Sequence, residues 1–252
     1  MFSLAQWKQR AVGRVNHESF DALNKTPIWT TGHPRCGSTW LNRLLSDALY
    51  AGMQVQEGAD DVQFWGENYN GPYVIRKTHS REAPLPGPTV YIHRDPRDAL
   101  VSALHYRGGG TIQDMFGKRV ISEVRPEDWF HFWDFRSFTE IWLPLVEKKE
   151  VSMVLYEDLQ HEECAEEIAR IIKELTGETV NASHVVKVCR RQSFDVALAR
   201  LGDPHSMWRG KVGSWRHFFT REAGRVYDEY IGDQMLEMRY IENRDWWKEL
   251  PE

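Results

Sequence analysis

Residues 32–40, GHPRCGSTW, decide how the fold is interpreted, because they almost match a phosphate-binding loop. The nucleotide-triphosphate form of that loop is G-x-x-x-x-G-K-[ST], in which main-chain N–H groups surround the phosphates and the lysine reaches the terminal ones. Gly32 and Gly37 have this spacing and Thr39 occupies the hydroxyl position, but Ser38 replaces the lysine. The segment therefore predicts an anion-binding loop that takes its charge from another residue.

The residues on either side of the loop predict a strand before it and a helix after it. PIWTTG, residues 27–32, is rich in β-forming residues, and the stretch after the loop has apolar residues at helical spacing: Leu41, Leu44, Leu45 and Ala48. A loop between a strand and a helix directs N–H groups and the positive end of the helix dipole to one point. Arg35 adds a permanent charge with a planar fork that fits tetrahedral oxyanions.

The composition is that of an ordinary soluble globular protein. The 252 residues are 41% hydrophobic and 27% charged, and no linker-like stretch divides them, so we expect one domain over residues 1–252. A net charge of -5 argues against nucleic-acid binding by bulk charge. The sequence has no signal-peptide core and no apolar run of about 18 residues, which predicts a cytoplasmic protein without membrane association. Its three cysteines are expected to be reduced thiols.

Further strands and helices alternate along the chain. Strands are predicted at residues 73–79, 89–94 and 151–159, and helices at residues 95–107, 127–149, 161–175, 182–192 and 221–237. Residues 107–126 contain three consecutive glycines and are expected to form a long loop. Because strands and helices alternate, we expect a single α/β domain with a central parallel sheet flanked by helices and a P-loop-like segment.

Two other uses of the loop can be tested by residue spacing. A cysteine-dependent phosphatase needs an arginine six positions after the nucleophile, but that position after Cys36 is Asn42. The HRD triplet at residues 93–95 is typical of protein kinases, yet Leu100 replaces the asparagine expected five residues later. A metal-dependent kinase or phosphotransferase would also require the missing lysine and a metal-binding carboxylate.

Three other segments carry candidate ligand-binding side chains. Lys77 and His79 lie two residues apart near the end of a predicted strand, so both can point to one face as an electrostatic stabiliser and a general base, or they are a surface lysine and a hydrogen-bonded loop histidine. Arg94 and Ser102 could jointly hold a phosphate, although Arg94 could equally pair with Asp98. The third segment, WRGKVGSWRHFFT at residues 208–220, is either an anion clamp or a solvated basic loop.

These segments, in this order, resemble the cytosolic-type sulfotransferases that use 3′-phosphoadenosine 5′-phosphosulfate (PAPS). GHPRCGSTW is similar to the family loop Y-P-K-S-G-T-T-W, and YIHRDPRDALVSALHY is similar to its 3′-phosphate segment. KTH, VLYEDL and WRGKVGSWRHFFT resemble its Lys/His segment, its Tyr-Glu-Asp strand end and its R-K-G-x-x-G loop. The resemblance covers residues 28–220.

The resemblance implies a role for each matching residue. The 5′-phosphosulfate would be held by Arg35, Cys36, Gly37, Ser38 and Thr39, and the adenine would be contacted by Trp40, Tyr156 and Phe194. The 3′-phosphate would be bound by Arg94, Ser102, Arg209 and Gly210, with Trp208 beside them at a position where the family often has arginine. Ser214 replaces a family aspartate, and the family's dimerisation pattern is altered at two key positions, so the oligomeric state is not assigned.

The implied reaction transfers a sulfuryl group from PAPS to a hydroxyl or amine of a small organic acceptor, without a metal. His79 would remove the acceptor proton, while Arg35 and Lys77 would stabilise charge on the departing phosphate. Arg35 stands where many members have lysine, and its pKa above about 12 makes its assistance electrostatic. A metal-dependent phosphotransferase and a non-catalytic nucleotide-binding module are the alternatives.

Overall fold

The computed structural model describes residues 25–55, 62–63, 71–106, 135–160, 162–193, 195–196 and 211–252. Within these ranges the strands are β1 (Thr26–Thr31), β2 (Gly52–Val55), β3 (Val62–Gln63), β4 (Tyr73–Lys77), β5 (Thr89–His93) and β6 (Ser152–Leu155). They form one sheet in the order β3-β2-β4-β1-β5-β6. All neighbouring strands are parallel except β2 and β3. The predicted α/β class with a central parallel sheet is confirmed.

Six helices accompany the sheet in the described ranges. They are α1 (Ser38–Leu49), α2 (Pro96–Tyr106), α3 (Phe135–Glu147), α4 (Cys164–Thr176), α5 (Ala182–Arg191) and α6 (Arg221–Glu237). Short 3₁₀ turns lie at Asp158–Gln160, Ser214–His217 and Trp246–Glu249. No helix in the described part of the chain is long and apolar enough to cross a bilayer.

Both faces of the sheet are covered by helices, as β5 illustrates. All five residues of β5 are buried, which is typical of a central parallel strand. Val90 and Ile92 belong to the main core with α1 and α4, whereas Tyr91 packs with Phe138 and Trp142 of α3. Because successive side chains of a strand point to opposite faces, one helix layer lies on each side.

The layer formed by α1, α4 and α5 results from apolar residues at helical spacing. On α4, Ile168, Ile171, Ile172 and Leu175 are buried in the main core. Asn181 caps α5 by accepting a hydrogen bond from the His184 N–H. Arg191 and Gln192 at the C-terminal end of α5 both donate to Asp47 of α1, so this end lies beside the helix that follows the predicted anion loop.

The C-terminal segment packs on α2 through a buried arginine. Arg97 forms a salt bridge to Asp95 at 2.7 Å, and both side chains are less than a tenth exposed. The Arg97 guanidinium also lies over Trp215 at 3.9 Å and over Trp246 at 4.8 Å. This cluster joins the start of α2 to the last 40 residues of the chain and so fixes the helix that carries Ser102.

The structure differs from the predicted elements mainly at their ends and at one edge of the sheet. β2 and β3 are not predicted, because a four-residue strand and a two-residue strand show too little periodicity. β4 ends at Lys77, so His79 lies beyond the strand. In place of the strand predicted at 151–159, the structure has the shorter β6 and then a 3₁₀ turn at Asp158–Gln160. The predicted loop at 107–126 and residues 127–134 lie outside the described residues.

Candidate active site

The loop that follows β1 leads directly into α1, as the sequence predicts. Gly37 immediately precedes the helix, and its φ of 94° lies in the left-handed region. A Cβ at Gly37 would lie 2.5 Å from the Tyr156 ring, so a larger residue would have to displace that ring. The N-terminus of α1 directs its first N–H groups and its positive dipole end into the loop. The loop therefore has the features that an anion site requires.

Cys36 supports this loop from the side of the protein core. Its side chain is fully buried in the main core, and its N–H donates to the carbonyl oxygen of His33 at 3.1 Å. Burial raises the pKa of the Cys36 thiol well above its ordinary value. A buried neutral thiol is a poor nucleophile, which agrees with the sequence argument against a cysteine phosphatase. Any contact between Cys36 and a ligand would involve its main chain.

His79 lies next to the start of the loop and is held in one orientation. Its Nδ1 is 2.7 Å from the carbonyl oxygen of Gly32. A carbonyl oxygen only accepts hydrogen bonds, so in the neutral ring Nδ1 carries the proton and Nε2 carries the lone pair. Burial, followed by the positive charge of Lys77, lowers the pKa of His79 to about 4. At neutral pH the ring is therefore uncharged, with Nε2 able to accept a proton.

Lys77 brings a positive charge to the first residues of α1. Its Nζ donates to Oγ1 of Thr39 at 3.0 Å. Thr39 is exposed, whereas the preceding Ser38 is buried. β4 ends at Lys77, so strand alternation does not position His79, but both residues contact the segment 32–39. A cation, a hydroxyl and a neutral imidazole therefore lie along the same loop.

A second cationic region lies at the carboxyl end of β5. Arg94 is 5% exposed, donates from Nη1 to the carbonyl oxygen of Arg35 at 3.1 Å, and stacks on the Tyr156 ring at 4.0 Å. Arg35 in turn donates from Nε to Oγ of Ser102 at 3.2 Å. The buried Nε of Arg94 has no hydrogen-bond partner among the described residues. Arg94 and Ser102, which sequence spacing suggested as a pair, are thus joined through Arg35.

Trp40 connects the first turn of α1 to the end of α5. Its indole N–H donates to the carbonyl oxygen of Gln192 at 2.7 Å, and its ring meets the Tyr156 ring edge to face at 5.5 Å. The Gln192 amide donates to a carboxylate oxygen of Asp47 at 2.5 Å. These contacts fix the half-buried Trp40 ring next to Tyr156, so two of the three aromatic residues assigned to the adenine are neighbours.

Asp98 has hydrogen-bond partners that sequence spacing did not suggest. Its carboxylate accepts hydrogen bonds from the N–H groups of Gly213 and Trp215 and from the Ser214 hydroxyl, at 2.7, 2.9 and 3.1 Å. Asp98 therefore holds residues 213–215 of the basic loop against α2. Arg94 donates its hydrogen bond to the Arg35 carbonyl oxygen, and its positive charge acts on Asp98 by opposing the rise that burial causes in the pKa of this carboxyl.

A polar network behind the loop escaped the sequence reasoning. Glu157 accepts hydrogen bonds from the Asp95 N–H at 2.9 Å and from the Tyr240 hydroxyl at 3.3 Å, and Tyr240 also contacts Nδ1 of His93 at 3.0 Å. Burial raises the pKa of Glu157 to about 7 and lowers the pKa of His93 to about 3. The Tyr-Glu-Asp pattern marks Glu157, but no local signal points to Tyr240, which is more than 80 residues away.

Several residues assigned from the sequence fall outside the described part of the chain. They are Phe194, Trp208, Arg209 and Gly210. Their roles stay predictions.

Comparison with known proteins gives one consistent match. Residues 75–239 match the family described as Sulfotransferase domain. Human sulfotransferase 6B1 is 24% identical over 247 residues, which cover 84% of this chain and 78% of that protein. Mouse sulfotransferase SULT7A1 complexed with PAP (adenosine 3′,5′-bisphosphate) gives a TM-score of 0.66 at 21% identity. The match covers 92% of this chain and 90% of the mouse chain. Retinol dehydratase in complex with androsterone and PAP gives a TM-score of 0.61 at 15% identity, covering 83% and 80%.

Proposed function

The chain belongs to the sulfotransferase domain family, and on that premise we propose that it transfers a sulfuryl group from PAPS to a hydroxyl or amine of a small organic acceptor. His79 is the general base of this reaction. The observation that carries the proposal is the hydrogen bond that holds the His79 ring to Gly32, at the start of the candidate anion loop. Relatives in complex with PAP, one of them also with androsterone, agree with a nucleotide donor and a small acceptor.

The residues of the loop and of α2 fit a donor with phosphate groups on the 5′ and 3′ positions of its ribose. One end meets the N-terminus of α1 with Thr39 and Lys77, and the other meets Arg94 and Ser102. The buried Nε of Arg94, which has no partner among the described residues, is a donor suited to a phosphate oxygen. The bare Gly37 backbone would let the loop approach a phosphate closely.

The residues around the loop would divide the chemistry between proton removal and charge stabilisation. PAPS, when bound, supplies the electrophilic sulfuryl group. The lone pair of His79 Nε2 takes the proton of the acceptor group, and Gly32 keeps the ring in the tautomer that leaves this nitrogen unprotonated. Lys77 and the N–H groups at the start of α1 stabilise negative charge that develops beside Thr39. Positioning and fixed charges supply most of the rate enhancement in this account.

The expected pH dependence follows from the lowered pKa of His79. The reaction needs the neutral ring, so activity should be lost as the pH falls through about 4 and should be constant from about pH 5 to neutrality. The measurement is kcat/KM for the acceptor between about pH 3.5 and 8, with the fold checked at each pH by circular dichroism. An acid limb centred near pH 6.5, the ordinary value for histidine, would contradict the buried environment assigned to His79.

The activity itself is tested by incubating the protein with PAPS and a panel of phenols, alcohols and amines. We expect at least one acceptor to gain the mass of SO₃ and to release adenosine 3′,5′-bisphosphate (PAP) in equal amount. His79→Asn serves as the control for hydrolysis of PAPS without an acceptor. Release of PAP that is equal with and without every acceptor would argue for a nucleotide-binding module.

A further inference from the structure

Two of the three cysteines are in contact, although 25 positions of the chain separate them. Cys164 is the first residue of α4, and Cys189 lies in the last turn of α5. Their Sγ atoms are 2.7 Å apart, with Cys164 donating a hydrogen bond and Cys189 accepting it. The third cysteine, Cys36, is fully buried in the anion loop. The sequence predicts three reduced thiols and gives no sign that two of them meet.

The packing of α4 and α5 holds the two cysteines together. Ile168 and Ile171 of α4 are buried in the main core, and Val185 and Val188 of α5 belong to the same core. A short connection joins the two helices, and Asn181 caps the start of α5 by accepting a hydrogen bond. Apolar packing and a helix cap therefore position both helices, and the contact between the thiols is a consequence of that packing.

The two thiols differ in exposure, which gives them different chemical roles. Cys164 is only 5% exposed, whereas Cys189 is partly exposed and can meet a molecule from solution. The hydrogen bond from Cys164 lowers the pKa of the Cys189 thiol, so Cys189 is the one that ionises first. The same hydrogen bond and burial raise the pKa of Cys164 well above its ordinary value. Cys189 is therefore the attacking thiol, and Cys164 is the partner that can resolve its product.

We propose that Cys164 and Cys189 are a redox-active pair of thiols that a small disulfide, such as oxidised glutathione, converts to an intramolecular disulfide. The Cys189 thiolate attacks one sulfur of the oxidant, which forms a mixed disulfide and releases one glutathione thiolate. Cys164 then loses its proton to water and attacks the Cys189 sulfur, which forms the intramolecular bond and releases the second glutathione thiolate. The two cysteines give up two electrons and two protons, and the oxidant becomes two thiols.

The bond would join α4 to the end of α5 that supports the candidate nucleotide site. Gln192 follows α5 directly, and its carbonyl oxygen accepts the hydrogen bond of the Trp40 indole. The Gln192 side chain donates to Asp47 of α1. The disulfide therefore adds a covalent connection to an element that so far is held by packing and hydrogen bonds. The inference goes beyond sulfuryl transfer and does not rest on it, because its tests use neither PAPS nor an acceptor.

Mass spectrometry of the folded protein tests the pairing. After exposure to oxidised glutathione and quenching with acid, the wild type should lose the mass of two hydrogen atoms, and dithiothreitol should restore it. Trypsin cuts after Arg170, Lys173 and Lys187, which separates the two cysteines, so a disulfide-linked pair of peptides should identify both partners. A stable glutathione adduct on the wild type, a linked pair that contains Cys36, or no change in mass would overturn the proposal.

Two serine variants test the order of the steps. In Cys164→Ser the hydroxyl can still donate to Cys189 but cannot resolve the mixed disulfide, so this variant should keep one glutathione on Cys189. Cys189→Ser should stay unmodified, because Cys164 is buried. The opposite pattern, an adduct on Cys189→Ser and none on Cys164→Ser, would overturn the roles of the two thiols. Melting temperatures of the reduced variants verify that both are folded.

Thermal unfolding measures the effect of the bond on stability. A disulfide that closes a loop between residues 25 positions apart restricts the unfolded chain, so the oxidised wild type should melt about 5 to 10 °C above the reduced form. Cys189→Ser, treated in the same way, is the control and should show no increase. An unchanged or lower melting temperature of the oxidised wild type would contradict a disulfide that fits the native packing of α4 and α5.

Discussion

Replacing His79 by Asn is expected to lower kcat about 100- to 10,000-fold, the range typical for loss of a general base. The Asn amide can still donate to the Gly32 carbonyl oxygen, so the loop should keep its geometry, but the side chain has no nitrogen that accepts a proton near neutral pH. The dissociation constant for PAP should stay within about threefold of the wild-type value, because the nucleotide contacts lie on other residues. Steady-state kinetics and calorimetry give the two quantities.

His217→Asn is the matched control, because His217 is exposed and lies in a 3₁₀ turn. It should change kcat by less than about twofold, as is usual for surface substitutions. Near-normal turnover in His79→Asn would remove His79 from its role as the base. A parallel loss of PAP binding and turnover would show instead that His79 acts by holding the loop through Gly32.

Replacing Arg94 by Ala is expected to have its main effect on nucleotide affinity. The change removes a buried guanidinium that supports the Arg35 carbonyl oxygen and offers Nε to a phosphate. Charged hydrogen bonds contribute about 1.5–3 kcal/mol each, so the dissociation constant for PAP should rise by about 10- to 100-fold. Calorimetric titration with PAP measures this effect directly.

Arg76→Ala is the matched control for Arg94→Ala. Arg76 lies on β4 with its guanidinium over the Trp29 ring at 5.4 Å, much as Arg94 lies over Tyr156. Its removal costs a similar stacking contact but no phosphate contact, so the affinity for PAP should be unchanged. Unchanged PAP affinity in Arg94→Ala would contradict the assignment of Arg94 to the 3′-phosphate.

The loop between β1 and α1, and the helix itself, could be predicted because the signal is local. The spacing of Gly32 and Gly37 and the leucine pattern of α1 lie within 18 residues and depend on backbone geometry and helix periodicity. The Lys77 and His79 side chains could be placed near the loop because open α/β sheets bind ligands at the carboxyl ends of their strands. The short strands β2 and β3 had no comparable signal.

Contacts between distant segments could not be predicted from the sequence. The bond from Arg35 to Ser102 joins residues 67 positions apart, and the pair Cys164 and Cys189 depends on how α4 packs on α5. Asp98 was considered only as a partner for a nearby arginine, yet it holds residues more than 110 positions away. Spacing shows which residues share a face of one element, but tertiary packing decides which elements meet.

The central claim, a donor site built for a nucleotide with a 3′-phosphate, is tested most directly by one calorimetric comparison. The wild-type protein is titrated with PAP without divalent ions and, separately, with ATP in the presence of Mg²⁺. We predict that PAP binds at least about tenfold more tightly than ATP with Mg²⁺, a difference of about 1.4 kcal/mol, and that Mg²⁺ does not alter PAP binding. Tighter, Mg²⁺-dependent binding of ATP would contradict the account and favour a phosphotransferase.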